Sequence, residues 1–289
     1  MRVQRLAIIG VGLIGGSFSL KLKQLGLVDE VVGYGRNIEN LEKALQLGVI
    51  DRFESKLHDA VKDADLVVLA VPLSAIAPIY AEMAQGLKPG AVVTDVGSAK
   101  SRVVAEVEEA LGFQPVCFVP GHPIAGREKS GVEAAEADLY VDHRVILTPQ
   151  DYTQHEAVNL VESLWQAVGA KVSRMTARYH DEVFAATSHL PHMLAFALVD
   201  MLNDHPELGN VFQYTAGGFR DFTRIASSDA TMWRDIALQN STAIVYWLSA
   251  YQAELAKLAD MIEKQQSDRL YDLFVKAKSA RDQHIVNKQ

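Results

Sequence analysis

Four groups of residues in this chain carry atoms suited to acid–base chemistry and anion recognition. His122 lies in Gly121-His122-Pro123-Ile124-Ala125-Gly126, just past the apolar run Val116 to Val119. An imidazole titrates near neutral pH and can take a proton from a substrate hydroxyl. Ser98 lies in Asp95-Val96-Gly97-Ser98-Ala99-Lys100. Its hydroxyl can donate to a ligand or to His122, or simply cap the helix that follows. His189 and His192 lie in Ser188-His189-Leu190-Pro191-His192, on one helical face by their spacing. The spacing equally suits one of them as a packed core histidine, and no third ligand at zinc-like spacing accompanies them. Gly217-Gly218-Phe219-Arg220-Asp221-Phe222-Thr223-Arg224 would, as a helix, set Arg220 and Arg224 one turn apart. Paired guanidinium groups suit carboxylate recognition, although either arginine could instead pair with an acid such as Asp221.

The elements that must position these groups follow from the apolar pattern. Leu6 to Ile9, Glu30 to Tyr34, Asp65 to Val71 and Ala91 to Asp95 read as strands, with amphipathic segments between them. Val116 to Val119, Val145 to Thr148 and Lys171 to Met175 continue the series. This βαβ rhythm predicts an α/β fold, with a doubly wound parallel sheet covered by helices on both faces. In such sheets ligands bind at the carboxyl ends of the strands, which is where His122 and Ser98 fall. After Met175 the period becomes helical: Ala177 to Leu202, Ala237 to Lys264 and Asp268 to His284. The expected division is a sheet domain over residues 1–174 and an all-helical domain over 175–289. Phe196, Trp247 and Tyr251 give the helical part more apolar surface than one small domain can cover, which points to dimerisation through it.

Composition narrows the function classes. The chain has 289 residues, 49% hydrophobic and 22% charged, with a formal net charge of -8. That balance disfavours general affinity for nucleic acid or anionic membrane, so an anionic ligand needs a local basic cluster. Cys117, alone of its type, excludes an internal disulfide and suits a reducing cytoplasm. Its place in an apolar run reads as a buried structural thiol. Arg2 and Arg5 before Leu6 to Gly16 mimic an export signal, but three patterned glycines and the lack of a cleavage site argue against one. No apolar run reaches membrane-spanning length.

Those glycines define the first ligand. Gly10-Val11-Gly12-Leu13-Ile14-Gly15 follows a strand and opens a helix at the first βα turn, the context of a Rossmann-type dinucleotide site. A pyrophosphate there rests on the helix N-terminus. The second strand ends in Gly33-Tyr34-Gly35-Arg36-Asn37, without the acid that holds an NAD ribose. Gly35 removes the repelling carboxylate and Arg36 supplies a partner for a 2′-phosphate, so NADP is expected, with NAD possible. Val71, Pro72 and Ser98, at the ends of later strands, complete the expected cofactor contacts.

Together these segments resemble the prephenate and arogenate dehydrogenases of tyrosine biosynthesis. GVGLIGGS, DVGSAKS, GHPIAGREKSG, SHLPH, GGFRDFTRIA and MWRDI occur in that family's order, and they span nearly the whole chain. The combination is far more specific than the glycine fingerprint alone. The resemblance implies oxidative decarboxylation of a cyclohexadienyl substrate without metal or Schiff base. His122 would accept the proton of the ring 4-hydroxyl, Ser98 would help orient it, and the C4 hydride would pass to the nicotinamide. Arg224 would bind a substrate carboxylate, while His192, His189, Trp233 and Gly217 would line the substrate pocket. Arg220 has less support and reads as structural. The family also implies a homodimer.

Two rivals remain. Other NADP-dependent hydroxyacid dehydrogenases share this domain order but typically depend on a lysine in the helical part, which SHLPH lacks. A nucleotide-sensing protein that lost its chemistry would hardly keep Ser98, His122 and Arg224 together. The dehydrogenase pattern fills the chain, so the expectation is no fused mutase or regulatory domain, and tyrosine inhibition, if any, at the active site itself.

Overall fold

The computed structural model describes residues 2–126, 131–205, 207 and 209–285. The REKS portion of the GHPIAGREKSG segment, residues 127–130, lies outside the described residues. The chain divides into two compact units, residues 1–241 and 242–289.

The first unit opens with β1 (Val3–Ile9), α1 (Leu13–Gln24), β2 (Val28–Tyr34), α2 (Ile38–Gln46), β3 (Arg52–Phe53) and α3 (Leu57–Val61). It continues with β4 (Leu66–Leu69), α4 (Leu73–Met83), β5 (Val92–Asp95), α5 (Ser101–Leu111) and β6 (Phe118–Val119). These strands form one six-stranded sheet in the order β3-β2-β1-β4-β5-β6, every pair parallel. This is the doubly wound arrangement that the alternating pattern predicts. Because side chains alternate along a strand, each central strand feeds two cores. Leu6 and Ile8 of β1, with Leu66 and Val68 of β4, join one apolar cluster; Ala7, Ile9, Val67 and Leu69 join the other. β3, two residues long, was not legible as a strand.

The sheet ends earlier than the apolar pattern suggests. β6 is only Phe118–Val119; Val116 is exposed, and Cys117 is half-buried ahead of the strand. The thiol donates to Gln154 Oε1 at 3.3 Å, and burial raises its pKa, so it is neither fully buried nor a thiolate. Pro120 cannot donate to a ladder, and the chain leaves the parallel sheet there. It enters a second sheet of β7 (Gly121–Ile124), β8 (Arg144–Leu147) and, after α6 (His155–Ala167), β9 (Lys171–Arg174), in that order. β7 runs antiparallel to β8, with His122 opposite Ile146, and β8 is parallel to β9. The segments near 145–148 and 171–175 therefore do not extend the first sheet, and His122 belongs to a strand of its own. Pro123 is tolerated because β7 is an edge.

Helical structure follows: α7 (Ala177–Phe184), a π-helical turn (Ala185–His189), α8 (Leu190–Asn203), α9 (Gly217–Thr223), a 3-10 turn (Arg224–Ser227) and α10 (Ala230–Gln239). Trp233 and Ile236 of α10 pack into the same apolar cluster as α4 and α5. Then come α11 (Ser241–Glu263) and α12 (Ser267–His284). The helical segment expected to run unbroken from residue 237 is thus interrupted at Asn240. The second unit consists almost wholly of these two helices, which expose Tyr246, Leu255, Ile262, Tyr271 and Phe274. No described helix is long and apolar enough to cross a membrane.

Trp165 of α6 is fully buried, its ring 4.3 Å from Phe18 and 4.9 Å from Tyr140 between centroids. Trp165→Ala is expected to cost about 3–5 kcal/mol, read as a fall in the urea midpoint. An unchanged midpoint would contradict this packing.

Candidate active site

A single cavity of about 1250 Å³ runs from the glycine turn, past the ends of β4 and β5, to α8 and α10. It exceeds the usual span of a one-ligand pocket, roughly 300–1,000 Å³, and leaves room for a dinucleotide and a second molecule.

The glycine turn forms one end. Gly10 has φ +93, and a Cβ there would come within 2.3 Å of Ala70 O, so only glycine fits. A Cβ on Gly15 would meet Ile8 at 2.7 Å; glycine lets α1 lie close on β1. Gly12 is the N-cap of α1, with no side-chain cap, and the first turn holds no acid. The open backbone N–H groups suit a pyrophosphate. Gly10, Gly12, Leu13, Ile14, Gly15, Val71, Pro72 and Ser98 all line this cavity.

The end of β2 flanks the turn, since Gly10 N donates to Tyr34 O at 2.8 Å. Asn37 caps α2 by accepting from Asn40 N, and Asn40 Nδ2 donates to Val11 O at 2.7 Å. These bonds hold Gly35 and the exposed Arg36 beside the dinucleotide turn, outside the cavity lining. The residues present fit a dinucleotide.

His122 stands where the two sheets part. Asp95, at the end of β5, accepts from Gly97 N at 2.8 Å and Gly121 N at 3.2 Å. It also pairs with Lys100 Nζ, both side chains being fully buried. Lys100 Nζ donates in turn to Gly121 O at 2.8 Å, so this ion pair clamps the residue preceding His122.

His122 is buried, and its Nδ1 lies 2.8 Å from His180 Nε2. The His180 Nδ1 lies 2.8 Å from Asp181 Oδ1. Asp181 also accepts from Lys100 N and Ser101 N at the start of α5, at 2.9 and 2.8 Å. Phe184 packs against both imidazoles, at 4.9 and 4.6 Å between centroids. Burial, reinforced by His180, Lys100 and His189, holds His122 well below the ordinary imidazole range. Burial lowers His180 as well, against the pull of Asp181. Burial opposes the Asp181 carboxylate, but the His180 ring and the α5 donors outweigh it and keep its pKa below the usual aspartate value.

Ser98 lines the cavity, but the His122 Nδ1 is taken by His180, which the sequence reading missed. Nor does Ser98 cap α5, whose first N–H groups go to Asp181. His192 and Trp233 form the opposite wall, stacked at 3.7 Å between centroids. His192 Nδ1 donates to Ser188 O at 2.9 Å, which leaves its Nε2 as an acceptor. Burial lowers its pKa, with Arg224 adding to the shift against the Ser188 carbonyl. His189 lies behind this wall rather than in the lining. Its Nδ1 meets Asn240 Nδ2 at 3.2 Å, and burial, aided by His180, brings its pKa to about 4. Asn240 also donates to Asp181 O at 2.9 Å. Arg224 lines the cavity from the 3-10 turn, so Arg220 and Arg224 do not share one α-helix. Arg220 and Gly217, on α9, are exposed and lie outside the lining. Among the described residues no His, Cys, Asp or Glu cluster is placed to hold a metal.

Comparison with known proteins identifies the arrangement. Residues 18–174 match the family description "Prephenate dehydrogenase, nucleotide-binding domain" and residues 176–276 match "Prephenate dehydrogenase, dimerization domain". The chain belongs to the prephenate dehydrogenase family. It is 37% identical over 282 residues to the cyclohexadienyl dehydrogenase of Zymomonas mobilis, covering 96% of this chain and 95% of that one. The prephenate dehydrogenase of Aquifex aeolicus, solved with hydroxyphenyl propionate and NAD+, superposes with a TM-score of 0.91 at 39% identity, covering 98% and 99% of the two chains. Synechocystis arogenate dehydrogenase gives 0.82 at 28% identity, covering 98% of this chain and 100% of that one. Like other prephenate dehydrogenases, this chain is an oxidoreductase with a nucleotide-binding domain. The residues that sequence reading overlooked, Lys100, His180, Asp181 and Asn240, touch His122 or its partners rather than line the cavity.

The buried histidines make stability depend on pH. A histidine whose folded pKa is depressed binds fewer protons folded than unfolded, so stability falls as pH drops below the unfolded value of 6.5. With a folded value of about 4, His189 alone should cost about 2 kcal/mol at pH 5 relative to pH 7.5. Urea midpoints at the two pH values measure this, and equal midpoints would show that the buried rings protonate freely.

Proposed function

We propose that this prephenate dehydrogenase oxidatively decarboxylates prephenate, arogenate or both, with NADP as the preferred hydride acceptor. The observation that carries this reading is a neutral, buried imidazole, His122, on the same cavity as the dinucleotide turn and Arg224.

His122 takes the proton of the ring 4-hydroxyl as that carbon becomes a carbonyl-like centre. A dinucleotide held by its pyrophosphate on the glycine turn would supply the acceptor for the C4 hydride. The electron pair of the ring-carbon-to-carboxylate bond enters the ring as carbon dioxide leaves, and aromatisation drives the step. Arg224 pairs with a substrate carboxylate, Ser98 contacts the reacting hydroxyl, and His192 and Trp233 wall the ring. His189 supports this wall from behind, its ring edge-on to Trp233. Gly217 is assigned to the substrate side only by its position beside Arg224 in the motif.

Asp229 supports a role for arogenate alongside prephenate. It is the only carboxylate among the described lining residues, and Asp229 Oδ1 is engaged by Met232 N. The remaining oxygen suits the ammonium group that distinguishes arogenate. Support for NADP comes from Gly35 in place of an acid and from Arg36 beside the turn. We also infer a division at residue 174 between nucleotide-binding and helical parts, and a homodimer formed through the helical part. The dimerization-domain match and the apolar side chains exposed on α11 and α12 support the dimer.

His122→Asn is expected to lower kcat by about 10²–10⁴-fold while leaving NADP binding intact. In the unaltered enzyme kcat/KM should stay flat through neutral pH and fall only well below pH 6.5, as His122 becomes protonated. Near-normal turnover by the variant would refute the assignment. Arg36→Ala should raise KM for NADP about tenfold or more and leave that for NAD nearly unchanged. Absorbance of the reduced cofactor, followed with each substrate and cofactor in turn, reads both results.

A further inference from the structure

We propose that the Asp181 carboxylate, acting through His180, fixes which nitrogen of His122 carries the proton and so leaves Nε2 bare toward the cavity. The proposal rests on the reading of His122 as acceptor of the substrate hydroxyl proton, and assigns Asp181 and His180 as positioning residues for it.

The argument is one of donor and acceptor bookkeeping along a single chain of contacts. An ionised carboxylate only accepts. Asp181 already accepts from Lys100 N and Ser101 N, the first free N–H groups of α5, and the positive end of that helix favours the anion. His180 Nδ1, at 2.8 Å from Oδ1, must therefore donate. A neutral imidazole that donates from one nitrogen accepts at the other. His180 Nε2 is then an acceptor, and His122 Nδ1, 2.8 Å away, must be the donor. His122 Nε2 is left without a proton, and among the described residues no group bonds it.

The reverse order of protons would present an N–H to the substrate hydroxyl, which cannot receive a proton. A free histidine side chain in water prefers the Nε2–H form, so the productive tautomer has to be imposed. The groups facing the pair are consistent with it staying neutral. Lys100 and Asp95 form a closed ion pair at the end of β5, Asp181 is the anion, and His189 is itself depressed. Phe184 covers both rings. The second link is fixed from the far side too, since Asn240 Nδ2 holds the Asp181 backbone carbonyl.

The test is the side-chain 15N spectrum of the full-length enzyme with NADP+ near neutral pH, with the His122 signals among the nine histidines found by subtracting the His122→Asn spectrum. The expected result is the Nδ1–H tautomer; the Nε2–H form or an imidazolium would overturn the proposal. In Asp181→Asn the His122 signal should move toward Nε2–H, and kcat should drop about 100-fold or more with NADP+ binding retained. An unmoved signal in that folded variant would also overturn it. Should Asp181→Asn fail to fold, a second pair of variants decides. His180→Gln can place an amide oxygen where His180 Nε2 stands and accept from His122 without Asp181, whereas His180→Leu cannot. Recovery of about tenfold or more by Gln over Leu is expected, and equal losses would count against the relay. Because the spectrum needs no turnover, the productive tautomer in an enzyme that oxidises neither substrate would sink the functional reading alone.

Discussion

The buried pair of Asp95 and Lys100 holds together the part of the molecule on which everything else depends. Two charges removed from water cost several kcal/mol each unless their remaining bonds are satisfied. Here they are. Asp95 takes backbone donors from Gly97 and Gly121 besides the ammonium, and Lys100 gives a further bond to the Gly121 carbonyl. One of those bonds holds the turn after β5, and the other two hold both backbone groups of Gly121. The pair therefore fixes the end of β5, the start of α5 and the point where the chain leaves the parallel sheet. His122 follows directly from that point, and its backbone has little freedom to drift.

Burial then decides what the fixed histidine can do. Removing His122, His180 and His189 from water penalises their charged forms, and the Lys100 ammonium adds to the penalty for His122 and His180. The result is a set of neutral rings at ordinary pH. Neutrality is what a proton acceptor needs, but it leaves the tautomer open. Asp181, the anion bonded to this set, is kept charged by the His180 ring and by the N–H groups at the start of α5.

Much of this was legible in the sequence. The glycine spacing, the alternating apolar runs and the position of His122 and Ser98 after strands gave the sheet, its ligand edge and the two halves of the cavity. Arg224, His192 and Trp233 reached the cavity as their motifs implied. What stayed hidden depends on long-range partners. Asp181 lies eighty residues from the Ser101 N–H that it accepts, within a helix of ordinary charged composition. Lys100 reads as a surface lysine before a helix, and nothing local says that β5 and β7 will close over it. The second sheet was missed because Val145 to Thr148 carries the same apolar pattern as a parallel strand, while Gly121–Ile124, with Pro123 inside it, carries no strand pattern at all; only Pro120 hints at the departure.

These two kinds of information divide along the site itself. Local sequence encodes the cofactor end, where backbone conformation does the binding and glycine is the only residue that fits. The reacting end is built from side chains of β5, β7, α7 and α10, which meet only when the first unit is folded. Its chemistry is therefore coupled to folding: loosening α7 from α5 would free the Asp181 carboxylate and the His122 proton together. A protein can keep a dinucleotide fold while losing such a reacting end, since the glycine turn does not depend on it. Here the partners of His122 are buried and their hydrogen bonds are satisfied from several elements. That makes the reacting end part of the core rather than an addition to its surface.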